Sequence, residues 1–200
     1  MSATGAPAGP GMRADARRNR QRLLDAALQA YTEHGADDAS LDEIARRAGV
    51  GIGTLYRHFP DRRALLEAVY RDQVEDLCTG ARKLQAEAAP GLAGEALERW
   101  LRALVGFAAT KRNLTSSIMS GPAKSEVATS CSAMIRESVE GLLAEAQRAG
   151  AIRPDVDAVD LLRMSHAISI AADLPNSHPD QADRLMAVML AGLRPAAAQA

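Results

Sequence analysis

Residues 41–62, LDEIARRAGVGIGTLYRHFPDR, contain two short helical segments separated by a glycine turn. Ser40 can accept a hydrogen bond from the backbone N–H of Glu43, whose carboxylate can reach back, so a capping box is predicted to open the first segment. Gly49 and Gly51 predict a tight turn, and Pro60 keeps the second segment short. Two helices joined by a three-residue turn are typical of a helix-turn-helix, in which the second helix enters the major groove of DNA.

The helices expected on either side of this pair complete a small core. Apolar residues recur at three-to-four spacing over 23–31, which predicts a first helix over about 14–34, ended by Gly35. Asp61 is placed to cap a long fourth helix that reaches about Glu87. A helix-turn-helix pair buries too little surface alone, so we expect these two helices to supply the remaining walls.

The rest of the chain has helical periodicity, and no segment alternates like a strand. The sequence therefore predicts an all-α fold of about nine helices. After the fourth helix, we expect helices over about 95–112, 114–120, 124–149, 156–174 and 180–193. The expected organisation is a disordered leader at 1–12, a helix-turn-helix domain at 13–60, a second helical domain at 61–194 and a loose tail at 195–200.

Charge and composition narrow the class of protein. A hydrophobic fraction of 47% allows a buried core, and a formal net charge of −1 argues against nucleic-acid binding by the whole surface. Residues 13–63 carry ten Lys or Arg against eight Asp or Glu, a net of +2, whereas the remainder, fourteen against seventeen, carries −3. A basic N-terminal arm of this kind is a directional sign of phosphate binding.

The sequence offers no sign of a metal, a cofactor or a membrane. Cys78 and Cys131 lie far apart within apolar helical stripes, where we expect buried thiols that act as small hydrophobes. No apolar run is long enough to span a bilayer, and residues 1–12 lack the apolar core of a signal peptide. We therefore expect a cytoplasmic protein with no cofactor, no metal site and no membrane partner.

Residues 41–62, the Leu23–Ala27 pattern, and Tyr31 with Gly35 together resemble the TetR family of bacterial transcriptional regulators. Residues 149–156, AGAIRPDV, and 192–195, GLRP, resemble one branch of that family. The resemblance implies a three-helix DNA-binding domain followed by a helical ligand-binding and dimerisation domain. It further implies a homodimeric repressor that a small-molecule effector releases from double-stranded operator DNA.

The recognition segment is short, so few side chains can reach base edges. The residues near its start and the groove-facing Arg57 are the candidates, with Arg57 able to bind guanine in a bidentate manner. Family members usually have a capping residue at Gly51 and a polar or basic residue at Ile52, so base readout is expected to depend on Thr54 and Arg57. The DNA-contacting residues expected from the motif and the resemblance are Arg17, Arg20, Ser40, Ile52, Gly53, Thr54, Tyr56, Arg57, His58 and Arg62.

Several of these residues have an assigned role with an alternative. The resemblance places Tyr56, His58 and Ser40 on phosphates, and Arg62 where family members usually have a phosphate-binding lysine. Arg17 and Arg20 would reach a minor groove or the flanking backbone, although Arg17, with Arg18, could instead form a solvated arm without a role. Phe59 is expected to be a core residue, and Tyr56 could also belong to the core.

The resemblance also implies a ligand cavity and a dimer interface in the C-terminal helices. Few charged residues lie on the apolar faces there, which predicts a largely apolar effector. Core packing remains the alternative for every one of these side chains. The predicted cavity residues are Trp100, Leu104, Phe107, Met119, Met134, Met164 and His166, and the predicted interface residues are Val159, Leu162, Ile168, Leu185, Met189 and Leu193.

Three other functions are alternatives to this interpretation. An enzyme is disfavoured, because the sequence has no glycine-rich phosphate loop, metal-ligand cluster or nucleophile elbow. A DNA-binding regulator without a ligand and a regulator that uses its ligand as a corepressor would need the same DNA-contacting residues, so both remain open.

Overall fold

The computed structural model describes residues 10–89, 91–119 and 126–195, and this part of the chain is all-α, as predicted. It contains eight helices and no strand. The helices are α1 Pro10–His34, α2 Leu41–Arg47, α3 Ile52–His58, α4 Arg62–Glu87, α5 Ala93–Met119, α6 Glu126–Arg148, α7 Ala158–Ala171 and α8 Gln181–Leu193.

Local signals account for the bounds of the first two helices. The turn after α1 places Gly35 at φ +83°, a left-handed conformation that favours glycine. The Ser40 side chain accepts from the backbone N–H of Glu43 at 3.4 Å, which caps α2 as predicted. The Glu43 carboxylate accepts from Arg47 instead of reaching back, so the described residues show only half of the predicted capping box.

The next two helices begin and end where the sequence predicts. Backbone atoms of Gly51 open α3 without a side-chain cap, and Pro60 follows its C-cap residue, Phe59. The Asp61 carboxylate accepts from the backbone N–H of Ala64 at 2.7 Å and starts α4.

Two predictions of helix bounds after α4 were wrong. The segments 95–112 and 114–120 form one helix, α5, because residues 107–119 contain no glycine or proline to stop it. The penultimate helix is shorter than predicted, because Asp157 caps it by accepting from the backbone N–H of Val159 at 2.6 Å and it ends at Ala171. The last helix begins close to its predicted start. The predicted start of α6, near residue 124, lies outside the described residues.

Two hydrophobic cores lie along the molecule, and α4 contributes to both. The first unites α1–α4 with part of α6 and contains Leu65, Cys78 and Cys131. The two thiols are buried, as predicted. The second core unites α5–α8 with the later part of α4, including Ala81. A boundary at residue 60 remains a prediction, since α4 shares its buried side chains between the two cores.

Among the described helices, none combines the length and the apolar character that a bilayer crossing needs.

Candidate nucleic-acid interface and regulatory core

The short helix α3 has a buried face and an exposed face. Leu55 is fully buried and Phe59, its C-cap residue, is nearly so, and both belong to the first core. Gly53, Tyr56 and Arg57 are exposed, with 49% of Tyr56 accessible. Because inward side chains anchor the helix, it presents its outward residues in a fixed orientation. The prediction that Phe59 is a core residue is confirmed.

The other predicted residues of α3 are less accessible. Ile52 and Thr54 are half-buried, and Ile52 packs against the first core. His58 is also half-buried, with its ring centroid 6.1 Å from that of Phe59. These three residues therefore lie at the edges of the exposed face, with Tyr56 and Arg57 at its centre.

Helix α1 brings an arginine to the C-terminal end of α3. The Arg20 guanidinium carbon lies 5.6 Å from the centroid of the Phe59 ring, which is within cation–π range. Arg17 lies one turn earlier and is exposed. The sequence analysis predicted that both arginines lie near DNA. It contained no signal that Arg20 packs on Phe59, which lies 39 positions away in the chain.

Ion pairs neutralise part of the basic surface. Arg47 pairs with Glu33 and with Glu43, each at 2.7 Å, and these hydrogen bonds raise the pKa of Arg47. The hydrogen bond from Arg47 also lowers the pKa of Glu43. Within the part of the chain that the structure describes, Arg17 and Arg57 have no such ion pair, so their positive charge is not neutralised.

Two predicted phosphate contacts lie near the start of α2. Ser40 is exposed at the N-terminus of this helix. Arg62 is half-buried, and a single guanidinium nitrogen donates to the carbonyl oxygens of Ala36 at 2.9 Å and Ala39 at 2.6 Å. The sequence could not reveal these acceptors, because every residue has a backbone carbonyl and the residue type does not show which carbonyl accepts a hydrogen bond.

Tyr31 lies beneath this contact and is fully buried. Its hydroxyl has no hydrogen-bond partner among the described residues. Burial raises the pKa of Tyr31 to about 12, and the positive charge of Arg62 acts in the opposite direction. The phenol is therefore neutral at all ordinary pH values.

The predicted cavity residues do not all lie together. Trp100 is 1% exposed, and its indole N–H donates to the Leu77 carbonyl oxygen at 3.1 Å, which ties α5 to α4. Met164 and His166 are exposed on the outer side of α7, because its inner face is formed by residues 161, 165, 168 and 169. The side chain of Met119 lies outside the described residues.

Three side chains mark the junction between the two cores. Phe107 and Ile135 are half-buried and pack against both cores, and Met134 packs against the first. Leu104 is buried in the second core, one turn from Phe107. The Phe107 ring lies 6.4 Å from the ring of Tyr70 on α4. Of the predicted cavity set, Leu104, Phe107 and Met134 thus lie at or next to this junction.

The predicted interface residues differ in how far they are exposed. Ile168, Met189 and Leu193 are buried in the second core of their own subunit, and the other three are half-buried. The large apolar side chains that α7 and α8 expose are Met164, Ile170 and Val188, of which Val188 is 73% accessible. The sequence pattern could not separate an inner from an outer apolar face on helices that are apolar on both.

A helix-turn-helix with an exposed recognition face, joined by one long helix to a second helical core, defines a DNA-binding regulator of two parts. The family model described as "Bacterial regulatory proteins, tetR family" matches residues 23–69. That described as "Transcriptional regulator SbtR-like, C-terminal domain" matches residues 92–195, about half of the chain. The chain belongs to the TetR family of transcriptional regulators.

Solved structures and curated proteins give the same assignment. TetR transcriptional regulator SCO0520 from Streptomyces coelicolor is 37% identical, with a TM-score of 0.74 over 89% of this chain and 99% of that one. A TetR regulatory protein from Mycobacterium vanbaalenii is 36% identical, with a TM-score of 0.72 over 92% and 99%. The uncharacterized HTH-type regulator TtgW from Pseudomonas putida is 48% identical over 28% of this chain and 42% of its own. The chain spans about two fifths of the length of the curated relatives it matches.

Proposed function

We propose that this protein is a homodimeric repressor that binds operator DNA through α3 and is released by a small-molecule effector. The observation that carries the proposal is the anchored recognition helix, with Leu55 and Phe59 inside and Tyr56 and Arg57 outside. Binding to chromosomal DNA requires that such a repressor act in the cytoplasm.

The exposed face of α3 supplies the proposed DNA contacts. Arg57 reads a base edge, with Thr54 beside it, and Tyr56 donates to a phosphate oxygen. A Cβ added at Gly53 would meet nothing within 4 Å, so packing within the subunit does not require a glycine there. We attribute the missing side chain to close approach of the duplex, a use of glycine seen where backbone meets ligand.

The remaining predicted contacts surround this face. His58 and Ser40 lie at helix ends and can donate to the DNA backbone. Arg17 and Arg20 extend along α1 towards the flanking groove. Ile52 contributes little to readout, since its side chain packs against the first core.

A dimer is proposed because one short recognition helix reads only one half-site. Two copies about one helical turn of DNA apart, roughly 34–36 Å, would present two such helices to successive major grooves. The exposed apolar residues of α7 and α8, Met164, Ile170 and Val188, form the proposed interface. The two helices from each subunit would together make a four-helix bundle.

The effector is proposed to be small and largely apolar, and to bind at the junction between the cores. Phe107 and Met134 are half-buried there, and α4 passes alongside. An effector at this place would displace α4 and move the two recognition helices out of register. A coupling free energy of about 1–3 kcal/mol is enough to change operator occupancy substantially.

Selection of bound fragments from the genome of the source organism tests DNA binding. We expect enriched fragments to share two half-sites, and affinity for a duplex carrying them to fall steeply as salt concentration rises. If no duplex shows salt-sensitive affinity, the proposed function is refuted.

A thermal-shift screen of small apolar molecules tests the effector. A molecule that binds the folded state raises the melting temperature with its concentration. We expect such molecules to release the selected duplex. Tighter DNA binding in their presence would instead identify a corepressor-dependent regulator.

A further inference from the structure

The segment between α1 and α2, residues 35–40 (the α1–α2 turn), has no regular secondary structure but must place the start of α2 accurately. Ala36 and Ala39 are buried in it, while Asp37 and Asp38 are exposed. One backbone hydrogen bond crosses it, from the N–H of Ala39 to the Gly35 carbonyl oxygen at 3.3 Å. The turn therefore depends on contacts from elsewhere for its shape.

Arg62 provides such a contact from the first turn of α4. One of its guanidinium nitrogens donates to the Ala36 and Ala39 carbonyl oxygens, at 2.9 and 2.6 Å. Hydrogen bonds from a charged donor are stronger than those between neutral groups. The two acceptors lie near the two ends of the turn, so this single nitrogen connects those ends. Ala36 and Ala39 are themselves buried, so water does not compete freely for these carbonyls.

The contact joins two parts of the chain that sequence separates by more than twenty residues. Helix α4 already connects to α3 through the peptide chain at 59–61. The Arg62 contact adds a second connection, from α4 to the segment that leads into α2. The helix-turn-helix is thus attached to α4 at both of its ends.

We infer that Arg62 is a positioning residue that holds the α1–α2 turn and the first turn of α4 as one body, so that α2 and α3 move together with α4. This joint movement matters for regulation only if the protein is the DNA-binding regulator proposed above, so that part of the inference rests on the proposed function. The assignment differs from the phosphate contact that the resemblance implies, because the Nη1 nitrogen of Arg62 donates to two carbonyl oxygens of the protein itself.

Hydrogen exchange on the full-length protein without DNA tests the contact. We compare the wild type with Arg62→Ala, Arg62→Lys and Arg63→Ala; Arg63 is the matched control, since it is exposed and pairs only with Glu67 in the described residues. In Arg62→Ala, amides at 39–45 should exchange faster by about tenfold or more, with those of α7 and α8 unchanged. Arg62→Lys should lie in between, since a lysine side chain is shorter and carries one nitrogen. Arg63→Ala should match the wild type.

Two exchange results would overturn the inference. One is unchanged exchange at 39–45 in Arg62→Ala. The other is an equal rise in exchange through α5–α8, which would show a general loss of stability rather than a loosened turn.

Binding to a random-sequence duplex of roughly 30 base pairs at several salt concentrations separates the two roles of Arg62. A positioning residue predicts weaker binding by Arg62→Ala with an unchanged slope of log affinity against log salt. A slope reduced by about one contact would identify a phosphate-binding residue and contradict the inference. If the wild type binds no duplex, the proposed function fails, and the exchange result alone then decides the role of Arg62.

Discussion

At the scale of single residues, the buried hydroxyl of Tyr31 is the group least expected from its surroundings. A buried polar atom without a partner costs free energy, and here the cost falls within the core that supports the helix-turn-helix. The raised pKa of this phenol also makes the free energy of unfolding depend on pH in the alkaline range. The folded protein holds the proton up to about pH 12, whereas the ordinary pKa is 10.0. The stabilising contribution is therefore complete below pH 10 and is lost as pH rises towards 12.

We expect Tyr31→Phe to leave the protein folded and to reduce the fall in stability between pH 10 and 12. The measurement is urea unfolding at a series of pH values. Tyr56→Phe is the matched control, because Tyr56 is exposed and its removal should leave this pH dependence as it is. An identical alkaline loss of stability in the wild type and in Tyr31→Phe would contradict the assignment.

Arg57 is the residue on which sequence readout is expected to depend. We expect Arg57→Ala to cost about 1–3 kcal/mol of binding free energy on the selected operator and to relax the preference at one base position. Tyr56→Phe should weaken binding to all sequences alike, as expected for a phosphate contact. A binding-site selection with each variant checks both. Unchanged preference in Arg57→Ala would remove this residue from base readout.

At the scale of elements, the recognition helix depends on its neighbours. A seven-residue helix is too short to persist alone, so the stability of α3 comes from Leu55 and Phe59 packing in the first core. Helix α4 has a local signal of its own, the Asp61 cap. The two helices therefore meet at Phe59–Asp61, where packing ends one helix and a cap begins the next.

We expect Asp61→Ala to destabilise the protein by about 1 kcal/mol, because the backbone N–H of Ala64 loses its acceptor. Thermal unfolding followed by circular dichroism measures the effect. Asp38→Ala removes an exposed carboxylate of the neighbouring turn and should be close to neutral. Equal melting temperatures for both variants and the wild type would show that the cap contributes nothing.

At the scale of the whole molecule, α4 connects DNA recognition to the second core. It contributes Leu65 near one end and Ala81 near the other, and Trp100 and Tyr70 hold it against α5. A displacement of α4 at the junction between the cores would therefore be carried to the helix-turn-helix. In the proposed dimer, the outer faces of α7 and α8 would set the distance between two such units.

We expect Val188→Asp to convert the dimer into monomers, because a carboxylate would be buried in the proposed apolar interface. Sedimentation velocity measures the change. Ala144→Asp is the control, since it adds the same charge at an exposed position of α6. A dimer that persists in Val188→Asp would place the interface elsewhere.

The two halves of the chain differ in how much their sequence predicts. In the first half, glycine, proline and capping residues occur at nearly every helix end, so the bounds of α2, α3 and α4 follow from local chemistry. In the second half, α5 continues through polar residues such as Asn113 and Thr115 that resemble a break but do not impose one. Polar side chains lower helix propensity only slightly, so a helix continues through them where no glycine or proline stops it.

The sequence by itself determined the all-helical fold and the helix-turn-helix, because helices and turns depend on contacts between residues a few positions apart. It also determined the family, because the motif that identifies the family is a continuous stretch of residues. Only the tertiary structure decided which apolar faces of α7 and α8 are buried, and that Arg62 binds the carbonyls of Ala36 and Ala39. The physical reason is range: caps and turns form within one helical turn. Burial and long-range hydrogen bonds depend on which distant segment packs against a residue, and periodicity does not record that.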